Sequence, residues 1–251
     1  MTDKLKISTK ALSLRKLLGL DTTSPIDIIS VALTIPNLTL VFYPMRKHIS
    51  GICIKNDGNP VIAINSTMSL GRQNFSLAHE FYHLYYDEGN KYTVSAKEIG
   101  SNNETEKAAD QFASYFLMPP LALSEMIDKI KSASTGMLGI REIVKLEQYF
   151  RVSRRALLFR LIEENILTKR QAEQFWYGVI HSAKTLGYDE SLYKPHPEHK
   201  QHKTYGYYVQ LAEELFQKDL ISTGYYEELL LSAFRSDLVY GDESEGDELN
   251  D

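Results

Sequence analysis

The sequence predicts an α+β fold, a small antiparallel sheet with site-bearing helices followed by a helical bundle. Three observations lead there. Short runs rich in β-branched and aromatic residues are confined to residues 38–64. Helical periodicity fills most of the chain beyond those runs. Two of the helical stretches, near residues 79 and 106, carry imidazoles and carboxylates on faces that are otherwise apolar.

Ile26 to Ile35 reads as a helix, with Ser24 as its cap and Pro25 at its first position. Leu38–Phe42, Gly51–Lys55 and Pro60–Ile64 read as three strands, and Asn56-Asp57-Gly58-Asn59 makes the last two a hairpin. An exposed edge near Gly51–Ile54 or Val61–Asn65 is expected to accept an extended peptide by strand addition. The alternative is an ordinary sheet whose edge another element covers.

His79-Glu80-Phe81-Tyr82-His83 places two imidazoles one helical turn apart, with a carboxylate between them. Residues four apart share a helix face, so both rings can reach one metal ion. Glu80 projects to the side, where it can take a proton from a water activated by that ion. A zinc hydrolase needs this arrangement for two ligands and a general base. Phe75, Ala78, Phe81, Tyr82 and Tyr85 supply helical periodicity from Asn74 to Tyr86. Asn74 or Ser76 is the expected cap, and Gly89 suits a left-handed exit.

A third ligand is expected from the next helix, which runs from Glu106 to the Pro119-Pro120 stop. Glu106 and Asp110 lie four apart on the apolar Ala109/Ala113 face. Carboxylates on a buried face are costly unless a cation or donors meet them. Glu106 as a metal ligand, with Asp110 holding the outer nitrogen of a ligand histidine, removes that cost. Capping is the competing reading, since Ser101-x-x-Glu104 and Asn103-x-x-Glu106 both resemble capping boxes. Asp110 favours Glu106 over Glu104 as the ligand.

Leu121–Ser132 and Gly139–Phe150 read as amphipathic helices, and Ser153 caps another over Arg154–Glu164. The unit from Ile140 to Ile162 resembles a helix-turn-helix, and Arg151, Arg154, Arg155 and Arg160 make DNA contact conceivable. Helix pairs of this kind are more often packing units. The chain divides into a core over residues 1–125, a helical region over 126–183, a linker over 184–206, a helical pair over 207–240 and an acidic tail over 241–251. His196, His199 and His202 recur in the linker, where Pro197 argues against a shared helix face.

Asn74-Phe75-Ser76-Leu77-Ala78-His79-Glu80-Phe81-Tyr82-His83, followed by Glu106-x-x-Ala109-Asp110-x-Phe112-Ala113 and Leu117-Met118-Pro119, resembles the ImmA/IrrE family of metallo-endopeptidases. The resemblance covers residues 30–120 well and extends more loosely to residue 168. It implies a zincin-like metallopeptidase core, with His79, His83 and Glu106 as metal ligands and Glu80 as general base. Zinc is the implied ion, with another divalent ion such as manganese as the alternative. The implied substrate is a partner helix-turn-helix transcriptional repressor, in stress, mobile-element or toxin–antitoxin control. One departure stands out: many relatives carry a further histidine where this chain has Asp87. That position is not expected to bind the metal.

With 43% hydrophobic residues in 251, the chain can form one large domain or two small ones. No apolar run is long enough for a membrane span, and Lys4, Lys6, Lys10, Arg15 and Lys16 precede no apolar segment, so no secretory signal is expected. A single cysteine, Cys53, excludes an internal disulfide, suits a reducing cytoplasm and reads as a small core residue. The net charge of −5 is concentrated in the tail acids from Asp242 to Asp251, leaving a body too neutral to predict nucleic-acid binding. The alternative function is a non-catalytic regulator that binds a protein or DNA through its helical half around a structural metal site. Glu80 argues against it, because a structural site has no use for a base.

Overall fold

The computed structural model describes residues 2–56, 58–88, 91–96, 103–131 and 138–241. It opens with α1 (Thr2–Leu17), which the sequence pattern does not reveal. The buried stripe of α1, Ile7, Ala11 and Leu14, is thin and diluted by lysines and serines. Fully buried Arg15 fastens the helix: Nη1 donates to the Phe116 carbonyl (2.7 Å), Nε to Asp21 (2.6 Å) and Nη2 to Ser24 (2.6 Å). A guanidinium is tolerated there because carbonyls meet its donors. Helix α2 (Ile28–Ala32) is shorter than the expected helix over 26–35, and Asp27 caps it instead of Ser24. Ser24 is engaged elsewhere, its N–H donating to Asp21 and its carbonyl accepting from Arg15.

Five strands, β1 (Thr39–Tyr43), β2 (Ile49–Ile54), β3 (Val61–Asn65), β4 (Tyr92–Ala96) and β5 (Lys203–Gly206), form one sheet in the order β4-β2-β3-β1-β5. The hairpin is present, with Gly51 opposite Ile64 and Ile54 opposite Val61. Asn59 N–H donates to the Asn56 carbonyl across its turn, where Gly58 takes φ +94°. The sheet is mixed, however, because β1 pairs parallel with β3 while the other pairings are antiparallel. The expected peptide-accepting edges are corrected as well. Gly51–Ile54 lies between β4 and β3, and Val61–Asn65 lies between β2 and β1, so both strands are internal. The outer strands are β4 and β5.

β5 comes from the segment read as a linker, after two 3-10 turns at Ser191–Tyr193 and Glu198–Lys200. It pairs antiparallel along β1, from Thr39 opposite Gly206 to Phe42 opposite Lys203. Gly206 is needed there, since its φ is +83° and a Cβ would stand 2.3 Å from the Leu38 carbonyl oxygen. A four-residue strand that buries only Thr204 carries no legible alternation.

Between and after the strands come α3 (Leu70–Tyr86), α4 (Glu104–Leu117), α5 (Pro120–Lys131), α6 (Ile140–Phe150) and α7 (Arg154–Glu163). α3 starts before Asn74, so neither Asn74 nor Ser76 caps it. Asn74 instead donates its amide to the Arg151 carbonyl at 2.9 Å. A Cβ on Gly71 would stand 2.7 Å from Ser153 N, so α3 meets the α6–α7 turn at backbone contact. Gly89 lies outside the described residues. Phe81, Phe112 and Phe116 interlock α3 with α4, with Phe81 and Phe112 each 5.7 Å from Phe116. Each is fully buried, worth about 1.5–3 kcal/mol.

Two of the four arginines considered for DNA are internal. Arg154 is buried against Glu147, and Arg160 lies 3.8 Å over the Tyr115 ring and 3.1 Å from Glu164. The α6–α7 unit therefore packs through residues that a DNA reader would expose. The chain continues through α8 (Lys169–Glu173), α9 (Val179–Thr185), α10 (Tyr207–Gln217), α11 (Thr223–Ser232) and α12 (Ser236–Tyr240). Ser222 caps α11, which ends at Ser232, short of the expected stop at Ser236; Phe234, at φ 59°, separates it from α12. His202 packs on Tyr43 and Phe234, while His196 and His199 are exposed. No helix among the described residues is long and apolar enough to cross a membrane. The acidic tail from Asp242 lies outside the described residues.

Candidate metal centre

α3 and α4 bring the predicted residues into one cluster. On α3, His79 and His83 sit one turn apart on the buried side, with Nε2 atoms 3.2 Å from each other. On α4, Asn103 caps the helix by accepting from Thr105 N–H at 2.9 Å. Glu106, freed from capping, turns its carboxylate to the imidazoles. Its Oε2 lies 3.3 Å from His79 Nε2, and its Oε1 lies 3.3 Å from His83 Nε2.

These three residues are the one group of metal-ligand type among the described residues. Tetrahedral ligands about 2.0–2.1 Å from a zinc ion stand roughly 3.3 Å from one another, so the observed spacings suit such an ion.

Outer carboxylates hold both rings. Asp110, one turn along α4 from Glu106, places Oδ1 2.9 Å from His79 Nδ1. Asp87, the residue at which α3 ends, places Oδ2 3.2 Å from His83 Nδ1. An Nδ1–H donated outward leaves the Nε2 lone pair facing inward, which fixes the ligating tautomer. The Asp110 placement follows the spacing on α4. In the sequence Asp87 reads as part of the helix exit and as a departure from relatives, although it too stands four residues from a histidine of the cluster.

Glu80 is fully buried beside this cluster, and among the described residues neither carboxylate oxygen has a hydrogen-bond partner at normal geometry. Burial raises its pKa, against the influence of His79, His83 and the Ser95 side chain. A buried carboxylate without a well-formed partner among the described residues, next to three convergent groups of metal-ligand type, suits a site that takes a cation and its water. Gly51 makes room for it, because a Cβ there would lie 2.5 Å from Glu80 Oε1 and 3.1 Å from Cγ. The sequence offers little notice of this role beyond a glycine opening a β-branched run.

The clustered groups also act strongly on one another's charge. Burial opposes a charged His79, but hydrogen bonds to Asp110 and Glu106 and the nearby Glu80 outweigh it and raise its pKa to about 10. Burial likewise opposes a charged Glu106, yet its bonds to the two imidazoles hold its pKa down at about 2. Cys53 takes no part in the cluster; burial raises its thiol to about 12.

A family model for a peptidase family, the IrrE N-terminal-like domain (peptidase M78), matches residues 37–162. No curated protein matches the chain. The matched span holds β1 to β4 and the helices from α3 into α7, and so includes His79, Glu80, His83, Glu106 and Asp110. A match over half of the chain, on the elements that build this cluster, places the protein in the IrrE N-terminal-like peptidase family.

Proposed function

We propose that the chain is a zinc-dependent endopeptidase that cleaves a partner helix-turn-helix transcriptional repressor in the cytoplasm and so relieves repression. The observation that carries the catalytic reading is Glu80, a buried carboxylate that lacks a well-formed hydrogen bond among the described residues and lies beside the His79, His83 and Glu106 donors. A structural site is closed by four protein ligands, whereas three ligands and an adjacent base suit hydrolysis. The repressor rests on the family resemblance.

His79, His83 and Glu106 would hold the ion, with Asp110 keeping the His79 ring in its ligating tautomer. When bound, the ion would supply Lewis acidity toward the scissile carbonyl and would lower the pKa of water to about 7. Glu80 takes a proton from the attacking water as its oxygen adds to the carbonyl carbon. It then delivers that proton to the amine nitrogen as the C–N bond breaks. The substrate would run in extended form along β4, the outer strand whose Ser95 lies close to Glu80, by adding to its outer edge.

The test is co-incubation of zinc-loaded protein with the helix-turn-helix repressor encoded beside its gene, comparing wild type with Glu80→Gln. Wild type is expected to cut the repressor. The variant is expected to retain zinc and lose at least about 10²-fold in rate. Equal cleavage by both would overturn the mechanism, and no cleavage by zinc-loaded wild type would overturn the substrate.

A further inference from the structure

The second ligand histidine has a carboxylate of its own, supplied by the helix that carries it. α3 ends at Asp87, where the backbone turns extended (φ −92°, ψ 96°) and brings the side chain back along the helix face. Its Oδ2 reaches His83 Nδ1 at 3.2 Å, and the two side chains are 10% and 0% exposed. An exposed i,i+4 pair would contribute little. This one is buried, so His83 would keep an unmet ring N–H without it.

Asp87 is itself braced. The Lys55 ammonium donates to the Asp87 main-chain carbonyl, while Lys55 N–H donates to the Lys91 carbonyl at 2.8 Å, just before β4. Lys55 follows directly on β2, whose Gly51 accommodates the Glu80 carboxylate. β2 and the residue that follows it therefore contact both the base and the brace of the second ligand.

We propose that Asp87 is a positioning residue for His83, locking its ring with Nε2 toward the ion, and that Lys55 keeps Asp87 in place. The proposal rests on the metal-binding reading above. A carboxylate accepting the outer N–H fixes the tautomer, stops rotation of the ring and strengthens the inner nitrogen as a donor. Asp110 does this for His79 from α4, so the two imidazoles are held from two different helices.

The experiment is competitive zinc titration against a chromophoric chelator, using the full chain as wild type, Asp87→Ala, Asp87→Asn and Lys55→Met. Visible spectra of the cobalt-loaded proteins are recorded alongside. Asp87→Ala should bind zinc about 10- to 100-fold more weakly and shift the cobalt bands. Asp87→Asn keeps an acceptor and should lose less. Lys55→Met, outside the ligand set, should also weaken binding. Wild-type affinity and an unshifted spectrum in Asp87→Ala would overturn the proposal. Should that variant fail to fold, wild-type affinity in both Asp87→Asn and Lys55→Met overturns it. Absence of zinc uptake by the wild type would instead overturn the metal reading, and this proposal with it.

Discussion

Gly51 and Glu80 show how a single hydrogen can decide the chemistry of the site. A methyl at residue 51 would occupy the space of Glu80 Oε1, so Gly51→Ala must displace the carboxylate or bend β2. Such overpacking costs about 1–3 kcal/mol, and misplacing a catalytic group by an ångström costs about 10²-fold in rate. On the proposed function, Gly51→Ala should therefore abolish most of the proposed repressor cleavage while leaving zinc affinity close to wild type, as measured by chelator competition. A second expectation concerns pH. The folded-state pKa of His79 is about 10 against an ordinary value of 6.5, so its proton stabilises the metal-free fold fully below about 6.5. That contribution is lost as pH rises through 10. Chelator-treated protein should thus melt progressively lower as pH rises from 6.5 toward 10, and His79→Gln should flatten the trend. His79, Glu80, His83, Glu106 and Asp110 are legible in the sequence because helical spacing assigns residues to faces, carboxylates on an apolar face call for a partner, and the motif resemblance ties them together. Gly51 is not, since its role lies in a contact between strand and helix that no local pattern encodes.

At the scale of elements, the metal helix is readable and its supports are not. α3 and α4 announce themselves through apolar residues at helical spacing and clear stops. α1 has a narrow buried stripe and is held by a charged side chain, which a reading based on hydrophobicity assigns to solvent. Arg15 nevertheless ties α1 to the end of α4, through the Phe116 carbonyl. Arg15→Met should leave three carbonyls without their donor and lower the unfolding free energy by about 1–3 kcal/mol in denaturant titration. A loss under about 1 kcal/mol would show that the carbonyls find other donors. The mixed sheet is equally hidden, because the parallel β1–β3 pairing is a tertiary choice that strand propensity does not express.

Over the whole molecule, the chain closes on itself in a way the linear division into segments does not convey. β5 returns from residue 203 to pair with β1, which leads into the core, and Leu70 N–H at the start of α3 donates to the Lys194 carbonyl at 3.0 Å. The segment between α9 and α10 is thus fastened both to the sheet and to the metal helix. Its prolines and scarce apolar residues conceal this, since backbone pairing needs neither. Truncation that removes residues 203–251 should uncover the edge of β1 and yield soluble aggregates, detectable by light scattering. A monodisperse truncated protein would show that β5 is dispensable for covering that edge.

In the metal-binding reading proposed above, His79, His83 and Glu106 close on one divalent ion while Glu80 stays outside the ligand set. An anomalous-difference map from crystals of the zinc-loaded protein tests it most directly. One strong peak is expected about 2.0–2.1 Å from His79 Nε2, His83 Nε2 and a Glu106 oxygen, with Glu80 facing the remaining open position. A peak elsewhere, or one with Glu80 as a direct ligand, would contradict it.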